Sequence, residues 1–336
     1  MLNQILYLLQ PGLQLSAPLL LAAAGGLFSY RAGVFNIALE GFMLVAAYFS
    51  VAVAAATGSL WLGAGAGVLS ALLLAAFMGA MVLVFLADEV IVGIALNLFA
   101  VGLTTYLLNS ANSNGGGFIH LDSGLPVVTI SWLAPVPVVN EIINGRDPLV
   151  YASWIVFPLA ALMLRGTLFG LRLRAAGESP LAARAAGVSV GWIKFASFLL
   201  CGLLCGLAGV ELALGSVYLF SENMTAGRGI IAFAAVIFGG GAPLFVGLAS
   251  LLFGFAQALA GVLQIGSRFP PQFVLMTPYI FAIVALTLSR RRLVLRPRGR
   301  ARPKPFAAEP EREGIAEEAS GAPASVPASV PDTRRE

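Results

Sequence analysis

Polar residues inside long apolar runs are the side chains best placed to do chemistry in this sequence. Such residues are costly at membrane depth, and they usually face protein or a water-filled cavity. The candidates for contact with a polar ligand are Asn36, Glu40, Asn97, Phe99, Glu211, Asn223 and Gln257. A hydrogen bond that serves only packing is the simpler explanation for the amides, whereas the two explanations are balanced for Glu40 and Glu211.

One stretch, Arg31 to Gly41, interrupts two apolar runs with charges and glycines. Broken helices at membrane depth are places where transporters build binding sites. A turn at the membrane surface would give the same pattern, so both interpretations stay open.

A second segment, Phe169 to Gly187, combines arginines with an alanine-rich run. Ser179 can cap a helix and Pro180 falls where a first-turn proline is tolerated, so we predict a short helix between two spans. Such a helix can dock into a groove on a soluble partner, although a plain loop remains an alternative of equal weight. The docking candidates are Arg172, Arg174, Gly177, Glu178, Ser179, Pro180, Ala183, Arg184 and Gly187.

Catalytic motifs find little support. The two lysines, Lys194 and Lys304, do not follow a glycine, so a phosphate-binding G-x-x-x-x-G-K-[ST] loop cannot form. Gly187 to Gly191 matches G-x-S-x-G, but the single histidine, His120, lies upstream of it. We therefore predict no enzyme activity, no metal site and no cofactor in this chain.

The elements that must position these residues are membrane helices. The chain is 59% hydrophobic and 11% charged, which excludes an ordinary cytosolic enzyme. A helix needs about 20 apolar residues to cross a bilayer. We predict an all-α integral membrane protein with eight to ten spans, nine favoured and some broken or re-entrant, at 13–30, 36–56, 61–86, 90–109, 149–164, 192–219, 229–242, 243–264 and 274–289.

Basic residues orient these spans. Residues 165–191 and the run Arg290 to Arg292 are rich in arginine, which places both in the cytoplasm. The loops 110–148 and 220–228 then lie outside, as does the N-terminus. We predict a transmembrane domain over 1–289 in the plasma (inner) membrane and a basic, then disordered, cytoplasmic tail over 290–336. The basic tail serves orientation, contact with membrane lipid or a partner is the alternative, and no nucleic-acid partner is expected.

Small residues in the span 192–219 predict close helix packing. Gly202 and Gly206 are spaced as G-x-x-x-G, and Gly209, Ala213 and Gly215 extend the stripe. A helix interface without a ligand is the simpler interpretation, and a helix that lines a path is the other.

Several of these motifs, in order, resemble the permease subunits of ATP-binding-cassette (ABC) importers. They are Arg31 to Gly41, Ile94 to Leu98, Phe169 to Gly187, Glu222 to Gly229 and Ala234 to Gly239. Within the superfamily of ribose and branched-chain amino acid permeases, the chain is most similar to the nucleoside and simple-sugar subgroup. The likeness covers about residues 15–289.

The resemblance implies a division of labour. Separate ATPase subunits would bind ATP and Mg²⁺, and residues 172–187 would form the coupling helix that sits in an ATPase groove. An extracytoplasmic binding lipoprotein would deliver a nucleoside, and the partner permease would be a second, related chain in a heterodimer. Simple sugars and branched-chain amino acids are the alternative solutes, and an ion-driven transporter that uses Glu40 or Glu211 is the rival mechanism.

Two positions depart from the family pattern. Gly239 to Gly241 stand where a larger or basic pair is expected before Pro243, and Glu211 stands where a neutral residue is expected. The roles of that turn and of Glu211 are therefore open at this stage.

Overall fold

The computed structural model describes residues 2–111, 117–129, 140 and 144–266, with side chains described from residue 9 to residue 262. The helices are α1 (Leu2–Arg31), α2 (Leu39–Thr57), α3 (Leu60–Leu83), α4 (Glu89–Ala111), α5 (Pro148–Gly166), α6 (Leu168–Glu178), α7 (Pro180–Ala185), α8 (Val190–Val210), α9 (Arg228–Phe238) and α10 (Pro243–Gly266). A π-helical segment, Glu211–Val217, continues α8, and two short strands are β1 (Phe118–His120) and β2 (Leu219–Ser221).

Seven of the helices in the described ranges are long and apolar enough to cross a membrane. They are α1, α2, α3, α4, α5, the continuous α8 and π segment, and α10. The all-α membrane fold is thereby confirmed. The stretch predicted at 229–242 is the short helix α9 of 11 residues, while the span predicted at 274–289 and the tail lie outside the described residues.

Three helices form the centre of the bundle. The buried share of the membrane window is 83% for α1, 72% for α2 and 78% for the α8 and π segment. The buried share falls to 28% for α3 and 22% for both α4 and α5, and many of the apolar side chains of these helices are exposed at the surface of the bundle. Of the side chains considered below, Arg31, Glu40 and Glu211 belong to these three central helices.

The predicted small-residue stripe brings α8 against α3. A Cβ on Gly202 would run into the Ala75 side chain, and one on Gly206 would lie 3.1 Å from the Cβ of Ala71. Two further glycines, Gly63 and Gly67 of α3, meet the backbone of α2 in the same way. These contacts make the stripe a helix interface, the simpler of the two interpretations that the sequence allowed.

The described strands of the loops predicted to share a face lie together at one end of the bundle. β1 and β2 pair antiparallel, with Ile119 opposite Phe220. Phe220 is fully buried, and its ring lies 5.2 Å from that of Tyr48 in α2. We call this the hairpin end.

The opposite end carries Arg31, Arg165 and the pair α6–α7, and we call it the basic end. Thr167 caps α6 and Ser179 caps α7, whose first residue is Pro180. The predicted short helix is thus present. A second helix, α6, precedes it, and the Thr167 hydroxyl caps α6 by accepting a hydrogen bond from the amide of Gly170.

The α3–α8 contact can be tested by filling it. Gly202→Ala should lower the free energy of unfolding by about 1–3 kcal/mol, because overpacking forces neighbouring backbone apart. Gly65→Ala is the matched control, since Gly65 is exposed on α3 with nothing within 4 Å of a new Cβ. Thermal unfolding in detergent measures both, and equal midpoints for the two variants would contradict the packing assignment.

Candidate functional site

A buried break separates α1 from α2. Residues 31–41, which we call the connector, leave the helix at Arg31 and include Gly33 at a φ of 72°. Val34, Asn36 and Ala38 are nearly or fully buried. The backbone between Arg31 and Leu39 is non-helical and, apart from the exposed Gly33, largely enclosed by protein, the setting in which such backbone is tolerated in membrane proteins.

Side chains satisfy the backbone of the connector. The Asn97 side chain bridges the break, because its Oδ1 accepts from the amide of Gly41 at 2.8 Å and its Nδ2 donates to the carbonyl of Ile37 at 3.0 Å. The Oδ1 of Asn36 accepts from the amide of Ala38 at 3.0 Å. Glu89, at the start of α4, accepts from the amide of Phe35 at 2.9 Å.

Glu40 holds the first turn of α9. Its Oε1 accepts from the amide of Gly227 at 2.8 Å and its Oε2 from the amide of Gly229 at 2.6 Å. A carboxylate at a helix N-terminus satisfies amides that have no partner in the helix and favours the positive end of the helix dipole. Gly229 is required here, since a Cβ would overlap the backbone of Glu40.

Arg31 holds the other end of α9. Its Nε donates to the carbonyl of Gly241 at 2.6 Å, in the glycine turn that follows the helix. Gly240 and Gly241 have φ values of 57° and 65°, which glycine adopts freely. The glycines that depart from the family pattern thus let the chain turn beside Tyr30 and Arg31, where a Cβ on Gly241 would meet the Tyr30 ring at 2.5 Å.

A buried charged cluster lies beside the start of α9. Arg228 interacts electrostatically with both Glu211 and Glu40, and its Nη1 donates to the carbonyls of Met224 and Thr225. Glu211 is fully buried and its Oε1 accepts from Ser216 at 2.9 Å, whereas its Oε2 has no partner in the described part of the chain. Arg228 is therefore a basic neighbour of Glu211, the residue whose role the sequence left open.

The cluster extends to the hairpin end through Asp147. A Cβ on Gly215, in the π segment, would lie 2.9 Å from the Asp147 carboxyl carbon. Burial raises the pKa of the Asp147 carboxyl, although the amides of Leu149 and Val150 donate to it as it caps α5. π-helical turns occur frequently at functional sites.

The remaining path candidates lie apart from this cluster. Phe99 lines an apolar groove of about 720 Å³ between α2, α3 and α4. Asn223 is exposed in the turn after β2, with a φ of 51°. Gln257 is half-buried on α10, and its buried amide oxygen accepts no hydrogen bond within the described ranges.

The docking candidates divide into an inner and an outer face. Ala183 and the α6 residues Leu173 and Ala176 are buried against the bundle, which fixes the pair of helices in place. Leu171, Leu181 and Trp192 are more than half exposed on the outer face, together with Arg172 and Arg184. A hollow of about 310 Å³, lined in part by Arg172, Gly187 and Trp192, opens on the same surface.

Sequence reasoning missed Glu89, Arg228 and Asp147. Glu89 and Asp147 each precede an apolar run and could have been identified as helix-start residues. Arg228 stands between two glycines before an apolar stretch, but its partners are distant in sequence. Among the described residues, no three His, Cys, Asp or Glu side chains gather in a group that could hold a metal ion.

Comparison with known proteins finds relatives across most of the chain. The guanosine ABC transporter permease protein NupQ of Bacillus subtilis is 33% identical, over 84% of this chain and 92% of its own. The nucleoside ABC transporter permease protein NupC of Lactococcus lactis is also 33% identical, over 81% and 89%. The putative glucose ABC transporter permease protein TsgC13 of Haloferax volcanii is 32% identical, over 83% and 90%.

No solved structure matches the chain. The family described as "Branched-chain amino acid transport system / permease component" matches residues 8–287. This range contains the connector, the pair α6–α7, α9 and the charged cluster. The chain therefore belongs to this family and is a membrane-spanning permease subunit of an ABC importer.

Proposed function

We propose that this chain passes a nucleoside across the bacterial inner membrane, with energy from ATP that partner ATPase subunits bind with Mg²⁺ and hydrolyse. The relatives NupQ, a guanosine permease, and NupC, a nucleoside permease, support the nucleoside, and both align with most of the chain. A simple sugar is the second candidate, because TsgC13 is a putative glucose permease of nearly equal identity. An extracytoplasmic binding lipoprotein and a second permease chain complete the assembly.

The pair α6–α7 is the proposed ATPase contact, and the basic end is the proposed cytoplasmic face. The observation that carries this proposal is a rigid outer surface of exposed Leu171, Leu181 and Trp192 among arginines. Exposed apolar side chains in a fixed arrangement suit a groove on a soluble partner. The other docking candidates, from Arg174 to Pro180, lie between this outer face and the connector, which Gly177 contacts.

Affinity purification of the tagged chain from its native membrane in mild detergent tests the assembly. We expect a stoichiometric ATPase and a second permease to co-purify. A binding lipoprotein recovered with them would then be titrated with guanosine, ribose and leucine to identify the solute. Recovery of the chain alone, with uptake driven by an ion gradient in vesicles, would overturn the proposal.

The outer surface of α7 gives a sharper prediction. Leu181→Asp should reduce ATPase recovery at least tenfold, because it places a charge in the proposed contact, and a tenfold loss corresponds to about 1.4 kcal/mol. Phe85→Asp is the matched control, since Phe85 is 68% exposed in the α3–α4 loop while Leu181 is 66% exposed. Equal ATPase recovery with both variants would contradict docking at α6–α7.

We propose that the solute contacts polar side chains whose buried atoms have no hydrogen-bond partner in the described part of the chain. Asn36, Glu40 and Asn97 make hydrogen bonds to backbone in the bundle. Gln257 and Glu211 each keep a buried oxygen without a described partner. We therefore assign solute contact to Gln257 and Glu211, and a scaffold role to Asn36, Glu40 and Asn97.

Two substitutions separate the path role from the scaffold role. Gln257→Leu should raise the KM for uptake and leave the thermal midpoint unchanged or higher, because it removes a buried oxygen that lacks a partner. Asn97→Leu should lower the thermal midpoint, because it orphans the Gly41 amide and the Ile37 carbonyl at a cost of about 1–3 kcal/mol each. Uptake of guanosine and unfolding in detergent measure the pair, and an unchanged KM for Gln257→Leu would remove Gln257 from the path.

A further inference from the structure

We propose that Arg31 and Glu40 are positioning residues for transport, which join α9 to the connector so that the two move as one body when the ATPase moves α6–α7. This inference rests on the proposed docking of the ATPase at α6–α7. Beyond that docking, it identifies α9 and the connector as the elements that move. Neither residue needs to touch the solute for this role.

The N-terminal end of α9 is joined to the connector by charge-assisted hydrogen bonds. Both carboxylate oxygens of Glu40 accept backbone amides, at 2.8 Å from Gly227 and 2.6 Å from Gly229. Hydrogen bonds to an ionised acceptor are about twice as strong as neutral ones. Since Glu40 is the second residue of α2, the start of α9 follows the start of α2.

The C-terminal end and the middle of α9 are joined to the connector as well. The Nε of Arg31 donates to the Gly241 carbonyl at 2.6 Å, just past the end of the helix. Between the two ends, the rings of Phe35 and Phe233 meet edge to face with centroids 4.8 Å apart. A helix of 11 residues held at three points along its length has little freedom to move on its own.

The connector in turn contacts the end of α6. A Cβ on Gly33 would lie 2.9 Å from the Cα of Gly177, and one on Gly177 would overlap the Arg31 carbonyl oxygen. Backbone thus lies directly on backbone, without a flexible side chain to absorb a displacement. Gly177 is next to the last residue of α6, so a displacement of α6–α7 is passed directly to the backbone of Arg31 and Gly33.

Spin labels on α9 and α3 test the inference in the complete complex with its ATPase. Ile237→Cys and Leu69→Cys provide exposed label sites, in a background of Cys201→Ala and Cys205→Ala. Trapping with ATP and vanadate should shift the distance between the labels in pulsed EPR. Arg31→Gln and Glu40→Gln should abolish that shift while ATPase recovery and basal ATP hydrolysis stay within twofold of the parent protein.

Arg165→Gln is the matched control, because Arg165 is an exposed arginine at the same end of the bundle, in the last turn of α5. It should retain the full shift. A shift that persists in both Arg31→Gln and Glu40→Gln, or that is absent from the parent complex with its ATPase bound, would overturn the inference. Loss of the ATPase from the parent complex would instead overturn the proposed docking and the inference with it.

A cross-link provides the second measurement, which does not require either charge to be removed. Phe35→Cys and Phe233→Cys, joined by a short bifunctional thiosulfonate, fix α9 to the connector. In the background of Cys201→Ala and Cys205→Ala without the label sites, the cross-linked complex should keep its ATP-dependent uptake of guanosine if the two already move together. Loss of uptake on cross-linking, restored by a reductant that opens the cross-link, would show that α9 moves independently and would overturn the inference.

Discussion

The rest of this fold depends on the requirement that backbone amides and carbonyls find partners inside a membrane. A continuous helix meets the requirement by itself, but the connector and the start of α9 do not. Side chains from two helices supply what is missing: Asn97 and Glu89 from α4, and Glu40 from α2. These polar side chains, which would be available to a solute in an unbroken bundle, are here used as hydrogen-bond partners of the backbone where the helices break.

Much of this arrangement was predictable from the sequence. The apolar runs gave most of the described span positions, Ser179 and Pro180 gave the start of α7, and the spacing of Gly202 and Gly206 gave a close helix contact of α8, although not its partner α3. These signals are local, because helix length, capping and small-residue spacing are properties of neighbouring residues. The charges and glycines from Arg31 to Gly41 likewise marked the connector, although they did not distinguish buried backbone from a surface turn.

The partners of the polar residues were not predictable. The amides that Glu40 accepts lie 187 and 189 residues away in the chain, and no pattern around Glu40 indicates them. Sequence reasoning therefore treated Asn36 and Asn97 as candidates of the same kind as Gln257, and left the ligand and packing roles of Glu40 balanced. Only the hydrogen bonds of the folded bundle distinguish side chains that complete the backbone from those that keep an oxygen without a partner.

The π-helical segment from Glu211 to Val217 has a consequence for how sequences in this family change. A π-helical turn contains one more residue than the α-helical turn that it replaces. Deleting a single residue there would let the segment return to α geometry, because the wide turn accommodates the extra residue locally and the helix before it keeps its orientation. Insertions and deletions are ordinarily tolerated in loops, but in this permease one interior stretch of a membrane helix holds an extra residue, in the turn that brings Gly215 beside Asp147.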